Sequence, residues 1–165
     1  MKTYPLEEIR AMVGRRIGVS DWFEIDQDRI DTFADCTEDR QWIHIDTKRA
    51  AASPFGKTMA HGFLTLALIP YLCRDISVIP EGTRTRINYG LNSVRLIAPV
   101  PVGSRIRDIL VLKDVVEKDN GRVLITSTHT VEIQGQEKPA CVAELLSLCI
   151  MEPSDDTGSS KGALL

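Results

Sequence analysis

Beyond Pro80 the chain becomes four long segments in which apolar and polar residues alternate: Thr83 to Leu96, Ser104 to Lys118, Arg122 to Gln134 and Lys138 to Met151. Alternation with period two is the pattern of strands that bury one face. In the third segment Val123, Ile125, Val131 and Ile133 share a face with Ser127 and His129, while Thr126, Thr128, Thr130 and Glu132 take the other. The separators are Pro99-Val100-Pro101-Val102-Gly103, Asp119-Asn120-Gly121 and Gly135-Gln136-Glu137. Asn-Gly between two such runs is a strong hairpin signal. Strands joined by hairpins form an antiparallel sheet.

Such a sheet needs a cover for its apolar face. From Gly62 the run Phe63, Leu64, Leu66, Ala67, Leu68, Ile69, Tyr71, Leu72 is apolar nearly all round. That pattern predicts a helix buried on most sides, with a kink at Pro70. The two patterns together predict an α+β fold, an antiparallel sheet wrapped around a long central helix.

The first sixty residues supply smaller elements. Leu6, Ile9 and Val13 mark a short amphipathic helix that Gly14 can end, and Ile17 to Ile25 reads as a strand. Asp26 is the expected N-cap of a helix carrying Ile30, Phe33 and Ala34 on one face. That helix fades around Thr37, which places Asp39 to His44 on the loop beyond it. Asp46 can cap a short helix through Ala52, stopped by Ser53-Pro54.

A length of 165 residues suits one domain. We assign it to residues 1–151 and read 152–165 as a flexible tail with little to bury. Composition excludes some functions. A net charge of −3 and a pI near 5.6 argue against a nucleic-acid partner, which calls for a basic surplus. No apolar run is long enough to span a membrane, and the charged N-terminus does not read as a secretory signal. Cys36, Cys73, Cys141 and Cys149 lack CxxC spacing and read as free thiols of a reducing cytoplasm.

The chemistry is concentrated in Asp39-Arg40-Gln41-Trp42-Ile43-His44-Ile45-Asp46 and Met59-Ala60-His61-Gly62-Phe63. A carboxylate and an imidazole near one another can share the protons of one bound water. Backbone N–H groups where a helix begins can stabilise a developing negative oxygen.

The run from Phe33 to Tyr71 resembles the MaoC-like dehydratase and (R)-specific enoyl-CoA hydratase family, whose fold is the hot-dog. Gln41-Trp-Ile-His-Ile-Asp46 and Ser53-Pro-Phe-Gly-Lys-Thr-Met-Ala-His-Gly-Phe-Leu-Thr-Leu66 resemble its NodN-like subgroup. The family motif is commonly Asp-x-Asn-Pro-Ile/Leu-His. Matched onto it, Asp39 and His44 fall on the catalytic acid and imidazole, and Gly62 on the glycine whose N–H faces the thioester oxygen. Gln41 stands where Asn is usual and Trp42 where Pro is usual. A Gln amide makes the same hydrogen bonds one methylene further out. These departures bear on substrate scope.

The resemblance implies (R)-specific hydration of trans-2-enoyl-CoA, or the reverse dehydration of a 3-hydroxyacyl-CoA. One water is held between Asp39 and His44, with no metal or redox cofactor; coenzyme A belongs to the substrate. Two other functions stay open on the same residues: a hot-dog acyl-CoA thioesterase, and a non-catalytic acyl-thioester binding protein. Substrate contacts are expected from Gln41, Trp42, His61, Phe63 and Tyr71, with the acyl chain along the Phe63 to Cys73 helix and Tyr71 and Leu72 limiting its length. Arg84, Arg86 and Arg95 are candidates for the coenzyme A phosphates. Asp46 reads as an N-cap before a metal ligand with His44 and His61. His129, lacking an acidic neighbour in sequence, reads as structural. Exposed sheet edges and the resemblance together imply a homodimer.

Overall fold

The computed structural model describes residues 2–153, so the expected tail lies, from residue 154 on, outside the described residues. The chain opens with β1 (Lys2–Tyr4), α1 (Leu6–Arg10), β2 (Arg16–Val19) and β3 (Phe23–Glu24). Five helical segments follow: α2 (Gln27–Thr37), α3 (Trp42–Ile45), α4 (Thr47–Ala51), α5 (Gly62–Ala67) and α6 (Ile69–Leu72). Then come β4 (Val78–Pro80), β5 (Thr83–Leu96), β6 (Arg105–Lys118), β7 (Arg122–Ile133) and β8 (Cys141–Met151).

The four long strands match the period-two segments and lie in one antiparallel sheet. Its order is β2-β6-β7-β8-β5, with β3 also paired to β6. The expected strand from Ile17 to Ile25 is thus two short pieces laid end to end along β6. The β6–β7 hairpin turns at Asn120 and Gly121, both at φ 61°. Two successive left-handed residues give a turn whose twist matches that of the strands it joins. Along β7 the sheet face expected to be inward is buried from Val123 through Ser127 and His129 to Ile133. A parallel pairing of β1 with β4 was not signalled by the sequence.

Two apolar clusters lie on the inner face. The larger joins Leu64, Leu68, Ile69 and Leu72 of the α5–α6 region to Ile25, Ile30, Ile106, Val131 and Ile133. The smaller gathers Ile9, Val78, Leu112, Val115, Val123, Ile125 and Cys149 beneath α1.

The long central helix departs from expectation in one respect. It is two short segments, α5 and α6, that meet at Leu68. Pro70 has no N–H to donate to the turn before it, and the break falls just ahead of it, leaving Pro70 in the first turn of α6. Nor is the run buried all round. Phe63 is 69% exposed and Tyr71 45%, and Ala67 between them is exposed as well. Positions i, i+4 and i+8 form one stripe, and here that stripe faces out.

Candidate active site

α2 sets the first catalytic candidate. Asp26 caps it, its Oδ1 accepting from the Arg29 N–H at 2.8 Å, and Glu38 ends it in the left-handed region at φ 57°. That reversal hands the chain to Asp39, which lies outside any helix, before Gln41 opens α3. His44 is then buried in the last turn of α3. Asp46 performs the capping expected of it, its Oδ1 accepting from the Arg49 N–H at 2.9 Å. It is therefore turned to α4. Asp39 is the carboxylate that joins the two imidazoles.

Ligand atoms of Asp39, His44 and His61 all lie within 4.8 Å of one another. Two hydrogen bonds of ordinary length to one water separate their partners by roughly 4.6 Å, so this spacing suits a shared water. The His44 Nδ1–H donates to the Met59 carbonyl at 2.6 Å. With Nδ1 so used, Nε2 keeps its lone pair and can accept a proton. Burial, above all, pushes the His44 imidazole below its ordinary pKa; the nearby His61 pushes the same way, while the Met59 carbonyl and Asp39 oppose. Asp39 remains on the rim, its side chain 55% exposed.

His61 is buried and stacks on His44, with ring centroids 3.6 Å apart and planes 24° apart. Its Nε2–H donates to the Asp39 backbone carbonyl at 2.9 Å and lies 4.0 Å from the Asp39 carboxylate. The His61 Nδ1 is buried without a hydrogen-bond partner among the described residues. Gly62 follows at the start of α5, where its N–H has no intrahelical acceptor. A Cβ at Gly62 would collide with the Leu96 side chain.

A cleft of about 310 Å³ adjoins His44 and Gly62; Ile43, Thr65, Leu96 and Ile97 are among its walls. Other contact candidates sit elsewhere. Tyr71 packs on Phe23, centroids 4.9 Å apart, and helps to line a different groove. Leu72 is in the core. These positions do not support Tyr71 and Leu72 as the chain-length stop at the His44 cleft. Trp42 faces Phe55 and Arg49. Gln41 is exposed, and its side chain makes no hydrogen bond to the described residues.

The three arginines do not form one cluster. Arg86 turns inward to Ser77, Nη1 donating to its Oγ at 3.3 Å, beside Cys73. Arg95 is exposed nine residues along the same strand, roughly 30 Å away at strand rise.

Sequence reasoning missed Gln27. Its Nε2 donates to the His44 carbonyl and to Asp31 Oδ1, both at 2.8 Å, and its Oε1 accepts from Thr58 Oγ at 2.5 Å. One α2 side chain thus ties the His44 turn to the strand-like segment preceding His61. Only its place one residue past the N-cap was visible in sequence. His129 also has an acidic partner after all: Asp108, across the β6–β7 ladder, with its Oδ2 accepting from the Nδ1–H at 2.7 Å.

Comparison with known proteins agrees with this architecture. Residues 8–134 match the family profile described as MaoC like domain. The chain is 50% identical over 145 residues to 3-hydroxyacyl-thioester dehydratase Z of Mycobacterium tuberculosis, covering 87% of this chain and 95% of that protein. It is 40% identical over 158 residues to Nodulation protein N of Rhizobium meliloti, covering 94% and 97%. The unliganded (R)-hydratase of Pseudomonas aeruginosa superposes with a TM-score of 0.68 at 24% identity, over 91% of this chain and 88% of that one.

Proposed function

This chain belongs to the MaoC-like family, and from that premise we propose that it is a hydro-lyase: it adds water to trans-2-enoyl thioesters with (R) stereochemistry, or removes water from the 3-hydroxyacyl product. The observation that carries the reading is the grouping of Asp39, His44 and His61 within 4.8 Å beside the Gly62 cleft.

In the hydration direction one water sits between the Asp39 carboxylate and His44 Nε2. As its oxygen attacks C3, His44 Nε2 takes one proton from the water that the Asp39 carboxylate holds, and the imidazolium so formed returns that proton to C2. Negative charge gathers on the thioester oxygen, where the Gly62 N–H donates. Losing one such donor costs about 3 kcal/mol in other enzymes. Addition of water is redox-neutral, so this reading calls for no redox cofactor; coenzyme A is part of the substrate. His61 holds the Asp39 backbone and keeps the His44 ring in place.

Two further readings accompany it. The exposed apolar stripe of Phe63, Ala67 and Tyr71, together with Ile87, Tyr89 and Leu91 on the edge strand β5, supports a homodimer covering this face. Four free cysteines, three of them buried, support a reducing cytoplasm. Among the described residues no helix is long and apolar enough to cross a membrane.

Supplying crotonyl-CoA and following both the enoyl absorbance and free thiol separates the possible functions. Hydration without thiol release is the expected result. Thiol release without hydration would make the protein a thioesterase. Tight binding without either reaction would make it a carrier or sensor of acyl thioesters.

A further inference from the structure

The segment from Thr47 to Thr58 contains Lys48, Arg49 and Lys57 and no acidic residue, in a chain whose net charge is −3. All three side chains are exposed, and none has a carboxylate within 4.0 Å among the described residues. Nearby Arg40, by contrast, is engaged with Asp35 and Glu38. Asp46 is the acid at the border of this segment, and its Oδ1 is occupied by the cap of α4.

Aromatic rings lie in the same surface. The Arg49 guanidinium sits 4.3 Å over the Trp42 ring, and Phe55, 54% exposed, is inclined to Trp42 with centroids 6.5 Å apart. Trp42 is two residues from His44. Arg49 is five residues from it, no more than about 18 Å even along fully extended chain. Two inclined aromatic rings, with Arg49 against one of them and Lys48 and Lys57 on the same segment without carboxylate partners, fit a planar base carrying phosphates: a ring stacks on the base, guanidinium and ammonium groups take the phosphate oxygens, and local charge draws the anion in.

We propose that Trp42, Phe55 and Arg49, with Lys48 and Lys57, form the seat of the phosphorylated adenosine of coenzyme A. The inference rests on the thioester reading above and sharpens it. The protein takes thioesters of free coenzyme A, its pantetheine arm running from this seat to the His44 cleft. Trp42, standing where the family commonly has Pro, supplies the stacking surface. An acidic carrier protein is the competing occupant of a basic surface, but a carrier has no use for a stacking ring beside the cations.

The test is direct titration of coenzyme A itself into the full chain by calorimetry, which does not depend on turnover. Lys48→Gln/Arg49→Gln/Lys57→Gln should weaken binding at least tenfold. Trp42→Leu should weaken it several-fold with a smaller salt dependence than the charge variant. The ratio of kcat/KM for crotonyl-CoA to that for crotonyl-pantetheine should fall about tenfold in the charge variant. Wild-type affinity for coenzyme A in both variants overturns the proposal. So does a charge variant that loses only the reaction with a crotonyl carrier protein, because the surface then docks a protein. A wild type that binds coenzyme A through these residues yet hydrates nothing keeps this seat and removes the hydratase.

Discussion

Two Asp–His arrangements occur among the described residues, and they differ in contact and exposure. At the Gly62 cleft the Asp39 side chain is 55% exposed and stands 4.0 Å from the His61 ring nitrogen. Beneath the sheet Asp108 is wholly buried, its Oδ2 2.7 Å from His129 Nδ1, and His129 Nε2 is 2.9 Å from Ser127 Oγ. The first group keeps its acid and imidazoles a water's width apart, beside a cleft of about 310 Å³. The second joins them directly, and the cavity lined by Cys73, Ser127 and His129 measures about 20 Å³. That is the volume of roughly one water. Direct contact satisfies a proton within the protein, whereas separation leaves it to be exchanged with a ligand. The same residue types are thus bonded directly to each other in one place and held apart beside a cleft in the other.

The largest effects are expected at the open group. Asp39→Asn and His44→Ala should each lower kcat by 10²- to 10⁴-fold, the usual worth of a positioned acid or base, and leave the melting temperature within a few degrees of wild type. Turnover near wild type in either variant would show that the open group is not the catalytic one.

At the sealed group the effects should exchange. Asp108→Ala leaves His129 buried without its acceptor, and removing one member of a buried pair costs about 3–5 kcal/mol. For a chain of this size that lowers the melting temperature by roughly 10 °C. The kcat of the protein that remains folded should change by less than threefold. A large kcat loss with an unchanged melting temperature would reverse the two assignments.

How much of this was legible depends on whether the deciding contacts were local. The four strands could be read because alternation is written residue by residue, and Asn120-Gly121 states its own turn. Asp26 and Asp46 likewise reveal caps within three residues of the N–H groups that donate to them. The Asp39–His44 offset was carried by a family motif, and the structure places ligand atoms of the two within 4.8 Å of each other. The Asp108–His129 bond was hidden because its partners are 21 residues apart and meet through strand register. Gln27 was hidden for the same reason, reaching 17 residues to the His44 carbonyl and 31 to Thr58. The exposure of Phe63 and Tyr71 could not be read from hydropathy. An apolar side chain shows the same pattern whether its own fold or a second copy covers it.

A smaller effect is expected from the protonation of His44, with both groups left in place. His44 must be neutral to accept a proton, and burial in the first place, with His61 in support, holds its pKa below the ordinary value of about 6.5. With His44 as the proposed base, activity should be full at pH 7 and lost as pH falls through the lowered value, so the acid limb of kcat/KM should lie below pH 6.5. The sign is the same for stability. A histidine whose pKa is depressed by folding contributes stability that is present above its unfolded pKa and lost as pH falls through the folded one. His61→Phe keeps a ring stacked on His44 but removes the neighbouring imidazole. The acid limb should then shift toward higher pH, with kcat on the plateau reduced far less than in His44→Ala. Asp108→Asn, acting on the sealed group, should leave the limb where it was. An acid limb above pH 6.5 in the wild type, or one that moves with Asp108 and ignores His61, would mean that the titrating group governing turnover is not His44.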